Sequence, residues 1–226
     1  RSRANHVRTC RLCSDNGALM SSCYYSPLDL VLTHGWSPNF IPSEVNKKYE
    51  TKNSDKVNMF SRTVEATLTK LIQSNIVRVG NKEEVNLMST VNLILKRTDM
   101  QWSRSRGMTL SNDDDLDLVN KAREAEGLPP IKARVVHDYT GSGLNGAQTH
   151  CRYSNIDISD LLNLVKPNCW FAVGDLASYY ESFSLAHDFL GWFCFQLFGV
   201  LYLATRIMFG FAPAPAYCAT FTAELV

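Results

Sequence analysis

The chain has almost no net charge, no apolar run long enough to cross a bilayer, no even set of cysteines, and no opening stretch that is expected to act as a signal peptide. Its 23 Lys and Arg against 22 Asp and Glu leave +1 over 226 residues. A phosphate-binding surface therefore has to come from uneven placement of charge rather than from the total. The seven cysteines, at 10, 13, 23, 151, 169, 194 and 218, are odd in number and scattered. This excludes a disulfide framework and predicts a reducing, intracellular setting, cytoplasmic or nuclear. Cys10, Cys13 and Cys23, with His6 or His34, could supply four zinc ligands, but the second pair lacks a finger-like spacing; the other reading is a reduced tail. The longest uncharged stretch, Phe189 to Thr205, covers seventeen positions between Asp188 and Arg206. A span needs about twenty apolar residues. Gln196 and the turn-like Phe198-Gly199 inside it favour two buried strands joined at the glycine over a small membrane protein. The run Asp113, Asp114, Asp115, Asp117 lacks the spacing of a calcium loop and reads as a solvated turn.

What is present is a globular composition, 45% hydrophobic and 20% charged, enough for one large domain or two small ones. Arg1 in place of Met, and an apolar FTAELV end without a helix stop, predict a piece of a longer chain. Residues 1 to 110 hold 16 Lys and Arg against 9 acids, a local +7, and residues 111 to 226 hold 7 against 13, a local −6. The first half is thus the better candidate for touching phosphate.

The first fifty-odd residues are turn-rich and aperiodic. From Val57, apolar residues at Phe60, Val64, Leu68 and Leu71 recur every three or four positions and predict an amphipathic helix, followed by a short strand, IVRV, closed at Gly80. EVNLMSTVNLILKR and KARVVHDY read as strands, separated by a polar stretch from Asp99 to Pro130 that holds the helix-like VNKAREAEGL. GSGLNG is a loop. NIDISDLLNLVKPNCW reads as a helix, and WFAVGDLASYY as a mostly apolar strand with one acid.

Several of these segments, in order, resemble the reverse transcriptases of retroelements, most closely those of DIRS-like and Ngaro-like tyrosine-recombinase retrotransposons. LTHGWSPNF resembles the family's lead-in, FSRTVEATLTKLIQSNIVRV its fingers helix and strand, and RVVHDYTGSGLN its R-L-V-x-D-x-x-x-L-N motif. VGDLASYY looks like the first palm motif, and IMFGFAPAP like L-P-F-G-L-x-x-A-P with YCATFTAEL as the helix behind it. The likeness runs from about residue 30 to the end. Departures are Met208 for a proline, Tyr179 for a small residue, Ala177 for Lys or Gln, and a connection over 99–130 longer than the family's.

The resemblance implies an α+β, right-hand polymerase fold with the fingers and the first part of the palm, an incomplete reverse transcriptase domain. The implied division is an irregular lead-in over 1–55, fingers over 56–150, first palm part over 151–185, a fingers return hairpin over 186–213 and the start of a palm helix over 214–226. It implies an RNA-directed DNA polymerase that transfers a nucleotide from dNTP to a primer 3′-hydroxyl with two Mg²⁺ ions. Asp175 would be the catalytic carboxylate and metal ligand. Arg134 and Lys132 would grip the triphosphate, Tyr180 would pack under the sugar and exclude a 2′-hydroxyl, and Phe209 and Gly210 would line the pocket. The partners would be an RNA or DNA template-primer and dNTP, with no membrane. The family's Y/F-x-D-D motif is absent from these 226 residues. The chain is therefore expected to be inert alone, because one carboxylate cannot hold two ions. The alternative is a catalytically dead, nucleic-acid-binding remnant.

Overall fold

The computed structural model describes residues 34–38, 45, 51–148, 159, 166–168, 170 and 178–225, with side chains through 219. The helical spacing after Val57 produces two helices instead of one: α1 (Asp55–Met59) and α2 (Ser61–Gln73). The break falls at Phe60, whose backbone leaves helical geometry at φ −114°, ψ 42°. Val57, Phe60, Val64 and Leu68 are nonetheless all buried, as their spacing requires. After α2 the chain reverses through Asn75, at φ 54°, into β1 (Val77–Val79).

β2 (Met88–Leu95) buries Val91, Leu93 and Leu95 and exposes Ile94, the alternation that puts one face of a strand in a core. It pairs antiparallel with β3 (Ala133–Asp138), in a register running from Thr90 opposite Asp138 to Leu95 opposite Ala133. β4 (Cys194–Leu197) runs parallel to the start of β2 and turns back into β5 (Val200–Ala204), which pairs with β1. The result is one mixed five-stranded sheet in the order β1-β5-β4-β2-β3. The uncharged stretch over 189–205 is thus a short 3₁₀ helix (His187–Trp192) followed by a hairpin. Phe198 and Gly199 both have positive φ, 51° and 79°, which suits a two-residue turn between right-twisting strands. Among the described residues no helix is long and apolar enough to cross a membrane.

Beneath the sheet lies an aromatic cluster. Phe193 meets Tyr139 and Phe211 edge-on, with centroids 5.3 and 5.1 Å apart, and His137 meets Phe195 at 4.6 Å. α5 (Ala214–Leu225) closes this core, and the lead-in is tied to it. Trp36 bridges to Leu185 by backbone pairing and its ring lies 4.1 Å from that of Tyr217.

The polar connection between β2 and β3 is helical: α3 (Arg97–Ser105) and α4 (Asp113–Ala125). The acidic run is not a solvated turn. Asn112 caps α4, accepting from the Asp115 amide at 2.9 Å, so the aspartates form the first turn, where the helix dipole favours negative charge. Asp113 is buried. Its carboxylate accepts from the Arg62 amide (2.8 Å), the Thr63 amide (3.2 Å) and the Thr63 hydroxyl (2.6 Å). α2 begins at Phe60, which has no side chain able to cap it, so the insertion supplies the missing cap from fifty residues away.

Candidate nucleotide-binding site

β3 carries the centre of the candidate site. Strand alternation turns Val135 and His137 toward the buried face of β2, and leaves Arg134 and Asp138 exposed opposite Ile94 and Thr90. The Arg134 guanidinium reaches over the ring of Phe209, 5.9 Å from its centroid. Tyr180, in a 3₁₀ turn (Tyr180–Ser182), meets the same Phe209 ring edge-on at 5.3 Å. Arg134, Phe209 and Tyr180 thus form one partly exposed patch, a cation beside two aromatic rings.

The backbone under Phe209 is fixed by two sets of bonds. The His137 amide donates to the Phe209 carbonyl at 3.1 Å, extending the pairing of β3 onto the 207–212 loop. Asn145 does the rest: its amide nitrogen donates to the Gly210 carbonyl (2.9 Å) and its oxygen accepts from the Ala212 amide (3.0 Å). Gly210 sits at φ +105°, and a Cβ there would lie 1.9 Å from the His137 carbonyl oxygen. Only glycine allows that approach. Asn145 was assigned no task from sequence, although it closes the R-L-V-x-D-x-x-x-L-N-like motif; a polar side chain at a fixed distance after a strand was the available signal. The Asp138 carboxylate accepts from the Gly141 amide at 2.7 Å and holds the intervening turn.

Tyr179, one of the departures from the family pattern, donates its hydroxyl to the Cys218 carbonyl at 2.8 Å and so anchors the Tyr180 turn to α5. Met208, another departure, is buried. Lys132 is exposed one residue before β3, two positions from Arg134. Asp175 lies outside the described residues, as do Cys10, Cys13 and Cys23; His34 is exposed. Among the described residues no three His, Cys, Asp or Glu side chains gather as metal ligands.

The titratable groups behind the patch are neutral. Burial pushes His137 down to about 4, and among the described residues Ser89 Oγ, 3.3 Å from Nδ1, is its side-chain hydrogen-bond partner. Burial also pushes the thiols of Cys194 and Cys218 up to about 12, which rules both out as nucleophiles at neutral pH. The patch thus combines a permanent cation with flat apolar surfaces. A shallow cleft of about 390 Å³ lies between His34, Asn75, His187 and Arg206, and none of the patch residues lines it.

No protein-family model matches the sequence, and no curated protein matches it. The fold does have solved counterparts. The foamy viral protease-reverse transcriptase in complex with double-stranded DNA superposes with a TM-score of 0.51 at 15% identity, over 84% of this chain and 31% of that one. A second structure of the foamy viral protease-reverse transcriptase with double-stranded DNA, labelled dRH, gives 0.51 at 15% identity, over 84% and 26%. The chain spans about a quarter to a third of these two chains. At this identity the likeness is one of fold: the architecture is reverse-transcriptase-like.

Proposed function

We propose that this chain forms the fingers and the first part of the palm of an RNA-directed DNA polymerase of a retroelement, and that the patch on β3 receives the incoming dNTP. The observation that carries the reading is the convergence of Arg134, Phe209, Gly210 and Tyr180, drawn from three separate segments, on one surface of a reverse-transcriptase-like fold. A guanidinium suits the triphosphate because it is planar and always charged. The rings of Phe209 and Tyr180 suit the sugar and base, and Tyr180 would sit where a 2′-hydroxyl has to fit. Lys132 adds a second cation for the phosphates. Asp175 would hold Mg²⁺ together with carboxylates that the described residues do not contain, and the ions would supply charge neutralisation at the transferring phosphorus. The natural setting is a longer polymerase bound to an RNA or DNA template-primer.

The test uses the purified chain. Ultraviolet cross-linking of labelled dTTP with Mg²⁺ is expected to label the 207–212 and 179–183 segments, and Arg134→Ala to lower the yield about tenfold or more, the size expected for a lost charged hydrogen bond. Labelling elsewhere, or yield indifferent to Arg134, would refute the site. Primer extension by these 226 residues alone is expected to be absent; Mg²⁺-dependent incorporation would show that the catalytic carboxylates are complete. The remnant reading is weakened by Tyr179 and Met208, which are accommodated by a hydrogen bond and by burial without disturbing the patch.

A further inference from the structure

The insertion between β2 and β3 is neutral in sequence: from Lys96 to Lys132 it holds seven Lys and Arg and seven Asp and Glu. The fold separates these charges. Asp113 caps α2, and Asp114 and Asp117 both pair with Arg62, at 2.7 and 3.1 Å. Asp115 accepts from the Ser111 amide at 2.8 Å. Asp99 pairs with Arg123 at 3.4 Å, where both side chains are nearly buried, and Glu126 holds Arg106 through two bonds of 2.8 and 2.7 Å. Both guanidinium groups lie over the Trp102 ring, Arg106 at 4.1 Å and Arg123 at 5.0 Å from its centroid. Six of the seven acids are thereby engaged, and they engage Arg62, Arg106 and Arg123. Lys96, Arg97 and Arg104 are left exposed, their side chains in no ion pair or hydrogen bond among the described residues.

These three cations are placed together. Lys96 extends β2 two positions past Ile94, on the strand face that carries Arg134 and, at the mouth of β3, Lys132. Arg97 opens α3, and Arg104 lies seven residues on, two helical turns and about 10 Å along the same helix face. Gln101, between them on that face, is exposed as well. The buried side of α3 is Ser103, with Met100 and Trp102 half-buried, so the helix is held by one face and presents the other.

We infer that the exposed face of α3, with Lys96, Arg97 and Arg104, is a docking surface for the phosphodiester backbone of a nucleic-acid strand, continuing the cationic face of β3 onto the insertion. The inference rests on the proposed polymerase function for the identity of the ligand, and goes beyond it in giving the helical insertion a task of its own. The argument is charge complementarity and continuity. Pairing of the acids, within the module and with Arg62 of α2, leaves a positive surface on a module that is neutral overall, and that surface continues the strand face that carries the cations assigned to the triphosphate. Two arginines on one helix face carry no base-reading geometry, so binding is expected to be indifferent to sequence.

The test is the salt dependence of binding of the full chain to a labelled single-stranded 20-mer and to a duplex of the same length, followed by fluorescence anisotropy. Releasing two phosphate contacts in Arg97→Gln/Arg104→Gln should flatten the slope of log K against log salt by about 1.4 on the single strand or about 1.8 on the duplex. Arg97→Lys/Arg104→Lys should restore the slope on whichever substrate loses it, since a point charge suffices at a phosphate. Lys121→Gln, on the exposed face of α4, should leave it unchanged. A double Gln variant that keeps its circular dichroism and its melting temperature but also keeps the wild-type slope on both substrates overturns the inference. If that variant keeps the slope while Arg134→Ala still lowers dTTP cross-linking about tenfold or more, the inference falls and the nucleotide site stands. Failure of the wild-type chain both to bind either oligonucleotide and to cross-link dTTP removes both.

Discussion

The sheet and the insertion are built by opposite means. The sheet is held by apolar side chains: Phe193, Phe195, Leu197, Leu203 and Val91 are all essentially inaccessible to water, and Ser89, His137 and Tyr139, buried among them, are uncharged. The helices α3 and α4 bury few large residues and are held by carboxylates, guanidinium groups and capped amides. A sheet assembled by area burial is insensitive to salt and sensitive to cavities; a module assembled by charge pairing behaves the other way. The difference also divides the labour of the molecule. The rigid sheet positions Arg134 and the 207–212 loop, whereas the insertion bridges β2 to the capped end of α2.

The comparison can be broken at several points. The largest effect is expected for Phe193→Ala, which removes the ring meeting Tyr139 and Phe211; a loss of about 3–5 kcal/mol in urea unfolding, unchanged by 0.5 M salt (roughly), would mark the sheet as an apolar core. Acid should come next. Burial lowers His137 to about 4 from its ordinary 6.5, so the unfolded chain takes up a proton first as pH falls. The stability is therefore complete above about 6.5 and is lost on going down to about 4, by at most about 3 kcal/mol. His137→Phe should flatten that part of the profile, and an equally steep fall in the variant would assign it to other groups. Asp113→Ala should cost about 2 kcal/mol, and its mark is local. Hydrogen exchange should quicken in the first turns of α2 and α4 while β2, β3 and β4 keep their protection; uniform quickening would make the insertion part of one cooperative core. The smallest effect belongs to Glu126→Gln, whose partly exposed pair with Arg106 is worth about 0.5 kcal/mol and should vanish at high salt.

The same division decides what could be read from sequence. Apolar periodicity is a direct record of burial, so the α2 face, the alternation of β2 and the hairpin around Phe198-Gly199 were all legible. The break at Phe60 was not, because a buried apolar residue continues the pattern whether or not its backbone stays helical. The insertion was misread where its bonds are polar. An aspartate that caps a helix fifty residues away is locally identical to one in a solvated turn, and only the uncapped start of α2 at Phe60 hints that a partner is needed. α3 was missed for a related reason: RTDMQWSRS has one apolar side too short to show a period. At the candidate site, the motif resemblance brought Arg134, Tyr180, Phe209 and Gly210 into view, and the fold sets the first three side by side. Asn145 escaped because its work is to hold backbone.

The nucleotide site on β3 is most directly tested by hydrogen exchange of the 226-residue chain with and without dTTP and Mg²⁺. The account predicts that dTTP slows exchange in residues 133–138 and 207–212, that Arg134→Ala abolishes the slowing, and that α3 and α4 exchange as before. Protection that survives Arg134→Ala, or that appears only outside these two segments, would contradict it.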